Sequence, residues 1–402
     1  MIRALGGALL LGFCTLAQGA IGTIDPAPGA TLFFPHFEVD TQNDQGNNTF
    51  ITIQNTSATA ILGNVVLWTD YGLPTHQFNV YLTGYDQETL NLRNLFVQRF
   101  DARTASAGQD PGNGISPQGP FSQDINFASC GPFLPDGQSG RLGPELIAAH
   151  TGGSAPQYFG SNLCGSRNYG DGIARGYITI DAVNSCGSDG PGDFGYFFSG
   201  GAGRATNQNV MVGEYVIFDA NNRRMLAEPA VGIEASGISP LTTGGALTFY
   251  GEPGSADNRE PLPTAWAGRF SQGRTSIDYW RAPRTTSDGR IQPFTCGSAP
   301  TGAATDQRLV SVFDATGTLT GQPTGNLFAG AAGTVSGNSL GLNAGLGWVF
   351  VNLNLGDDSI RQSWLNFRQV PADASTGAPY GYSTGGIQLG NPALGPANPI
   401  LP

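Results

Sequence analysis

The chain predicts an all-β protein, built as two immunoglobulin-like or jelly-roll-like β-sandwich domains, the first with a long loop-rich insertion. Three observations carry this expectation. Short apolar runs alternate with period 2 and stop at Gly, Asn, Asp or Pro, the pattern of half-buried strands. Gly (60) and Pro (27) are frequent among the 402 residues, yet they punctuate these runs and do not form tracts. The later part of the chain repeats the order of the earlier segments.

Thr31–Asp40 reads as a strand interrupted at Pro35, which implies an edge or a bend. Asn47–Asp70 holds two adjacent strands, Thr49–Asn55 and Ile61–Thr69, with Trp68 near the end of the second. Gln77–Leu82 and Thr89–Phe96 continue the alternation. From about 101 to 172 the composition becomes loop-like, with one short helix over Leu142–His150, where Pro144 and Glu145 suit a first turn. Strands resume at Gly176–Val183, Val210–Asp219, Pro229–Ala235 and Ala246–Tyr250. The run DANNRR at 219–224 is a hairpin turn, because Asp and Asn tolerate left-handed backbone. Glu252–Pro263 reads as a linker.

Beyond it, Ala265–Phe270 and Ser276–Arg281 with Trp280 match the opening strand pair and Trp68. Phe294–Gly297 matches Phe127–Gly131, while Arg308–Phe313 and Gly347–Asn352 match Gly176–Asp181. Trp364–Val370 and Gly385–Leu389 stand where Tyr215–Asp219 and Gly232–Ala235 stood. The expected domains are 21–252 and 253–390, followed by an irregular tail at 391–402.

The net charge is −11, and all 19 basic residues are Arg. Such a chain lacks the basic stripe that a phosphate backbone requires, so nucleic acid is not an expected partner. Anionic membrane surfaces are disfavoured for the same reason. Without Lys there is no P-loop, no protein-kinase site and no pyridoxal Schiff base.

Residues 1–20 have the form of a secretory signal: Arg3, the apolar run Ala4–Phe13, then small residues with cleavage after Gly19 or Ala20. The run is too short to span a bilayer, and Phe13 before Cys14 argues against lipidation. The expected location is therefore exported: periplasmic, cell-surface or extracellular, with no membrane insertion after signal cleavage. Cys130, Cys164, Cys186 and Cys296 then form two disulfides, with three possible connectivities. The favoured set is Cys130–Cys164, closing the Gly/Pro-rich loop, and Cys186–Cys296, tying the halves together.

GYITIDAVNSC (176–186), GIEAS (232–236), TFYG (248–251), ADNREPLPTAWAGRF (256–270) and DYWRAP (278–283) together resemble a family of exported bacterial β-rich proteins. The resemblance covers most of the mature chain. It implies secretion and a β-rich fold, and brings no assigned activity or catalytic residue.

Four constellations bear on chemistry. Gly337-Asn338-Ser339-Leu340-Gly341 matches a hydrolase motif, but the last His is His150, and a nucleophile elbow needs its His after the Ser. His36, Glu38 and Asp40 alternate along one strand, and with Asp44 they offer a candidate cation site; the commoner reading is the polar outer face of a strand with Phe37 and Val39 inward. Asp257, Asn258, Arg259 and Glu260 form a polar cluster at the domain junction, either a ligand site or a hydrogen-bonded network that sets domain orientation. Trp68, Trp266, Trp280, Trp348 and Trp364 are core residues or a sugar platform. The leading expectation is a non-enzymatic exported protein acting in structure, adhesion or interaction, with an unknown protein or glycan as partner. The alternatives are a carbohydrate-binding or carbohydrate-cleaving module and, more weakly, a structural calcium-binding protein; no other cofactor is expected.

Overall fold

The computed structural model describes residues 27–98, 130, 143–198, 202–222, 224–235, 248–250, 257–263, 265–270, 273–283, 292–298, 309–323, 327–342, 345–353, 362–371, 382–385 and 387–388. The expected signal at 1–20, the tail at 391–402 and most of the insertion lie outside the described residues.

The first half contains β1 (Thr31–Asp40), β2 (Asn47–Asn55), β3 (Ile61–Thr69), β4 (Pro74–Leu82) and β5 (Gln87–Asn91). Helices α1 (Pro144–Thr151) and α2 (Pro156–Phe159), the short β6 (Leu163–Cys164), then β7 (Ile173–Val183), β8 (Met211–Asp219), β9 (Arg224–Pro229) and β10 (Val231–Ile233) follow. Two antiparallel sheets form, ordered β10-β1-β7-β3-β4 and β5-β2-β8-β9. Between them Leu32, Phe34, Ile51, Ile53, Val65, Leu67, Ile178 and Ile180 make the first core.

The structure decides one sequence expectation here and alters two. β1 is central, paired with both β10 and β7, and Pro35 sits in a bulge between Phe34 and Phe37, so of the edge and the bend expected there the bend is found. Thr89–Phe96 is not one strand: the Asn91 side chain accepts the Arg93 N–H at 3.0 Å and the chain turns into a π-helical segment, Asn94–Gln98, which still buries Leu95 and Phe96. Thr248–Tyr250 form no strand, while 246–247 lie outside the described residues.

The second half contains β11 (Ala265–Phe270), β12 (Gly273–Arg281), β13 (Phe294–Thr295), β14 (Leu309–Asp314), β15 (Leu319–Gly321) and β16 (Ala332–Ser336). A 3-10 turn at Gly337–Leu340 leads to β17 (Gly347–Asn352), β18 (Ser363–Pro371), β19 (Tyr382–Gly385) and β20 (Ile387–Gln388). Its sheets are ordered β15-β14-β17-β11-β20 and β16-β12-β18-β19. Apart from β6 and β13, which pair with each other, the strands of the two halves correspond one for one in chain order, from β1 with β11 to β10 with β20. Both sheets then have the same neighbour order in both halves.

The sequence matches of Gly347–Asn352, Trp364–Val370 and Gly385–Leu389 fall on corresponding strands: β17 with β7, β18 with β8, β20 with β10. Two others do not. Trp280 is on β12, the counterpart of β2, whereas Trp68 is on β3; Arg308–Phe313 falls on the counterpart of β3 and not of β7. Apolar alternation with a terminal Trp marks a strand facing a core without marking which strand it is.

The two sandwiches pack through the five-stranded sheet of the first and the four-stranded sheet of the second. Side chains alternate along a strand, so β7 sends Ile178, Ile180 and Ala182 into the first core and Tyr177 into the second. β12 likewise sends Ile277 and Tyr279 inward and Trp280 to the first sandwich, where its ring lies 4.9 Å from Phe33 and 5.9 Å from Tyr177. β7 and β3 consequently read as almost continuously buried. Glu252–Pro263 is correspondingly no surface linker in its described part: Asp257, Arg259 and Leu262 are buried beneath the junction.

The disulfides are Cys130–Cys186 and Cys164–Cys296, which corrects the favoured pairing. The β6–β13 ladder places Phe294 opposite Cys164, bringing Cys296 alongside it, so this bond joins the two halves. A 132-residue separation is closed by strand pairing that chain spacing does not reveal. Peptide mapping of the unreduced protein is expected to recover these two pairs; a Cys130–Cys164 peptide would reject the architecture.

On the face that the second sandwich and the junction cover, Asp181 is fully buried. It accepts hydrogen bonds from Thr31 and, at 2.8 Å each, from the hydroxyls of Tyr196 and Tyr250. Removing one partner of a buried charged network strands the others. Asp181→Ala is expected to lower stability by about 3–5 kcal/mol in urea unfolding of the oxidised protein, whereas Asp44→Ala, on an exposed loop, should change it by no more than about 0.5 kcal/mol. Equal effects would refute the central role of Asp181.

Candidate functional site

Two polar clusters occupy the covered face of the first sheet. The inner one is built around Asp181. Arg259 donates from Nε to Thr31 Oγ1 at 3.1 Å and from Nη2 to the Thr206 carbonyl at 2.7 Å, and its Nη2 lies 4.0 Å from Asp181. Asn64 donates to the Tyr196 hydroxyl at 2.9 Å and accepts from Gln77 at 3.1 Å. Burial, then the charge of Asp181, pushes both Tyr196 and Tyr250 well above the usual phenol range, so both remain donors. Of the junction residues, Asp257 accepts the N–H groups of Tyr250 and Arg259 at 3.1 and 2.8 Å. Buried Asn258 keeps an unpartnered Nδ2. Burial, then the neighbouring Glu234, raises Glu260 to about 7. These bonds fix the junction to the first sandwich.

The outer cluster lies where β1 and β3 end and β7 begins. Arg175 pairs with Asp171 at 2.7 Å and with Glu38 at 3.2 Å, and His36 Nε2 stands 3.4 Å from Glu38. Burial opposes the charge of Glu38, but the His36 imidazole and then Arg175 hold its carboxyl down at about 2. The guanidinium groups of Arg167 and Arg175 lie 5.0 and 4.6 Å from the ring centre of half-exposed Tyr169. Beneath them Asp70, 4% exposed, accepts the Arg167 N–H at 3.1 Å. Burial lifts Asp70 to about 7 in spite of that bond and of Arg175.

The proposed cation ligands do not assemble. His36 faces the second sandwich and is buried, not part of an open polar face, while Asp44 is exposed in the loop. Asp40 accepts the N–H groups of Gln42 and Asn43, each at 2.9 Å. Among the described residues, no three His, Cys, Asp or Glu side chains gather as metal ligands. Ser339 lies on a 3-10 turn after a strand, without the helix a nucleophile elbow requires. Trp266, Trp280 and Trp364 are core residues; Trp68 is partly buried against Tyr177, and Trp348 is partly exposed and stacked on Phe313 at 4.0 Å.

All three histidines are buried, at 2% (His36), 6% (His76) and 1% exposed (His150). His150 donates from Nδ1 to the Arg175 carbonyl at 2.9 Å, and burial lowers it to about 4. Sequence reasoning passed over Asp70, Arg167, Tyr169 and Arg175. The spacing of Asp171 and Arg175 was a visible signal, whereas Asp70 meets Arg167 only through the fold. Among the described residues no helix is long and apolar enough to cross a membrane. Comparisons with protein-family models, with curated proteins and with solved structures return no match.

Asp70 gives a pH test. Folded, it holds its proton up to about pH 7, against an ordinary value of 3.8. The folded state therefore binds more protons between these values, and stability falls as pH rises from about 4 to about 7. Asp70→Asn is expected to remove about 1.4 kcal/mol per pH unit of that fall within this window. Denaturant melts in a pH series check it, and a slope unchanged from the wild type would refute it.

Proposed function

We propose that this chain is a non-enzymatic exported protein of the cell envelope or extracellular space, acting as a rigid interaction or structural module. One observation supports this reading above the others: the two sandwiches are fused into one body whose ionisable groups are engaged in holding it together. The Asp181 and Arg259 network fixes the junction to the first sandwich, Gln362 of the second half accepts the Leu262 N–H and donates to the Thr248 and Phe249 carbonyls, and the Cys164–Cys296 bond ties the halves covalently. Asp70, which like Glu260 has a pKa suited to acid–base work, is buried and bonded to the Arg167 N–H of the loop before β7. Two disulfides agree with an oxidising compartment.

The carbohydrate reading stays second because of one surface feature. Trp348 and Phe313 stack with an interplanar angle of 7°, beside exposed Leu319 and Leu346. Such a ledge suits a sugar face, but it is bordered by aliphatic groups and not by paired carboxylates.

A thermal melt of the mature, oxidised protein against a glycan panel and Ca²⁺ separates these readings. A ligand at a hundred times its Kd stabilises by about 2.7 kcal/mol, a visible shift in a chain of this size. The proposal expects a flat panel and no effect of chelator. A shift with one glycan class that disappears in Trp348→Ala would replace it with the sugar module.

A further inference from the structure

The segment after Cys186 is more rigidly built than its composition, GSDGPGDFGYFF, suggests. Cys186 is bonded to Cys130. The Asp189 carbonyl accepts from Gln77 at 2.6 Å and from Arg204, and the Gly187 carbonyl from Asn79 and Arg204 at 3.1 and 3.0 Å. Asp193 closes a turn onto the Gly190 N–H at 2.7 Å. Gly195, at φ 89°, reverses the chain, so that Tyr196 enters the Asp181 network, fully buried, while Phe194 points outward. A side chain at position 195 would be strained in this backbone.

At its tip this framework displays Phe194, 98% exposed, with Phe198, 45% exposed, edge-on at 6.1 Å. Two phenylalanines held out to water by a loop anchored at several points form a pre-organised aromatic contact: the ordering cost of binding is met by the fold, and aromatic anchors carry much of the energy at interfaces. Asp193 and Asp189 are exposed beside them, the latter at 45%. Arg204 is buried, donates to the loop carbonyls and lies 3.9 Å from the Asp189 carboxylate, so the acidic character of the tip rests on exposed Asp193. The tip is therefore apolar with an acidic border.

Resting on the interaction reading above, we infer that the 187–198 loop docks into a different protein through an apolar socket with a basic rim, Phe194 and Phe198 filling the socket. Charge argues against the other occupants. A second copy of this chain, at net charge −11 and without lysine, would meet the acidic border with like charge. An anionic bilayer repels the same border.

The test places the photo-crosslinking residue p-benzoylphenylalanine at position 194 of the full-length chain, with position 85 as control, since Tyr85 is also exposed, at 55%. The chain is expressed in its producing cells, irradiated, and the adducts mapped by mass spectrometry. Position 194 is expected to give one discrete protein adduct at about tenfold or more the yield of position 85, attached to an apolar peptide flanked by Arg or Lys. Asp193→Asn, which keeps an acceptor for the Gly190 N–H, should reduce that yield several-fold, and Phe198→Ala should reduce it while leaving the melting temperature unchanged. A lipid adduct, a self-adduct, an acidic partner surface, or equal labelling at both positions overturns the inference. With the same residue placed at exposed position 346 in a third variant, a discrete adduct there and none at 194 rejects the loop but keeps the interaction reading. A glycan-specific melting shift rejects that reading itself.

Discussion

The five-stranded sheet of the first sandwich has a core on each side, and the rest of the structure follows from that constraint. A sheet with one wet face can leave polar side chains to water. Here Thr31, Thr179 and Asp181 project from the second face and are fully buried. Each needs a protein partner, because an unpaired buried polar group costs more than a hydrogen bond returns. Arg259, Tyr250 and Tyr196, from the junction and the 187–198 loop, supply them. The polar interior thus specifies how junction and loop are placed, while Phe33 and Tyr177 meet Trp280 in an aromatic contact across the seam.

The repeated strand order makes this arrangement asymmetric in an informative way. Both halves have the same sheets, yet the first packs through its five-stranded sheet and the second through its four-stranded one. Corresponding strands therefore face different surroundings: β2 carries the first core, whereas its counterpart β12 carries both the second core and, through Trp280, the joint between the halves. The repeat is therefore complete in topology and only partial in residues.

Stability and function draw on the same groups. Asp70, Glu38 and His150 all have shifted pKa values, yet each is tied to neighbours that position backbone: Arg167, Arg175 and the β7 carbonyl. The perturbed ionisation of these groups follows from burial and from their packed neighbours. The Phe194 tip and the Trp348 ledge, two of the exposed features among the described residues, are apolar contacts.

Much of the architecture was legible in the residues. Period-2 alternation placed Ile61–Thr69, Ala265–Phe270 and Gly347–Asn352 as strands, and the DANNRR hairpin joins β8 and β9. Pro144 opened α1, as a residue without an N–H to satisfy can. These are local properties, set by side-chain period and turn chemistry. What only the tertiary structure decided were the long-range pairings: β1 as a central strand, Cys164 with Cys296, Asp70 with the Arg167 backbone, and His36 facing inward across the seam. Each depends on which strands become neighbours. Alternation records that a side chain is covered but carries no address for what covers it, so one chain pattern is compatible with many partners until the sheets are assembled.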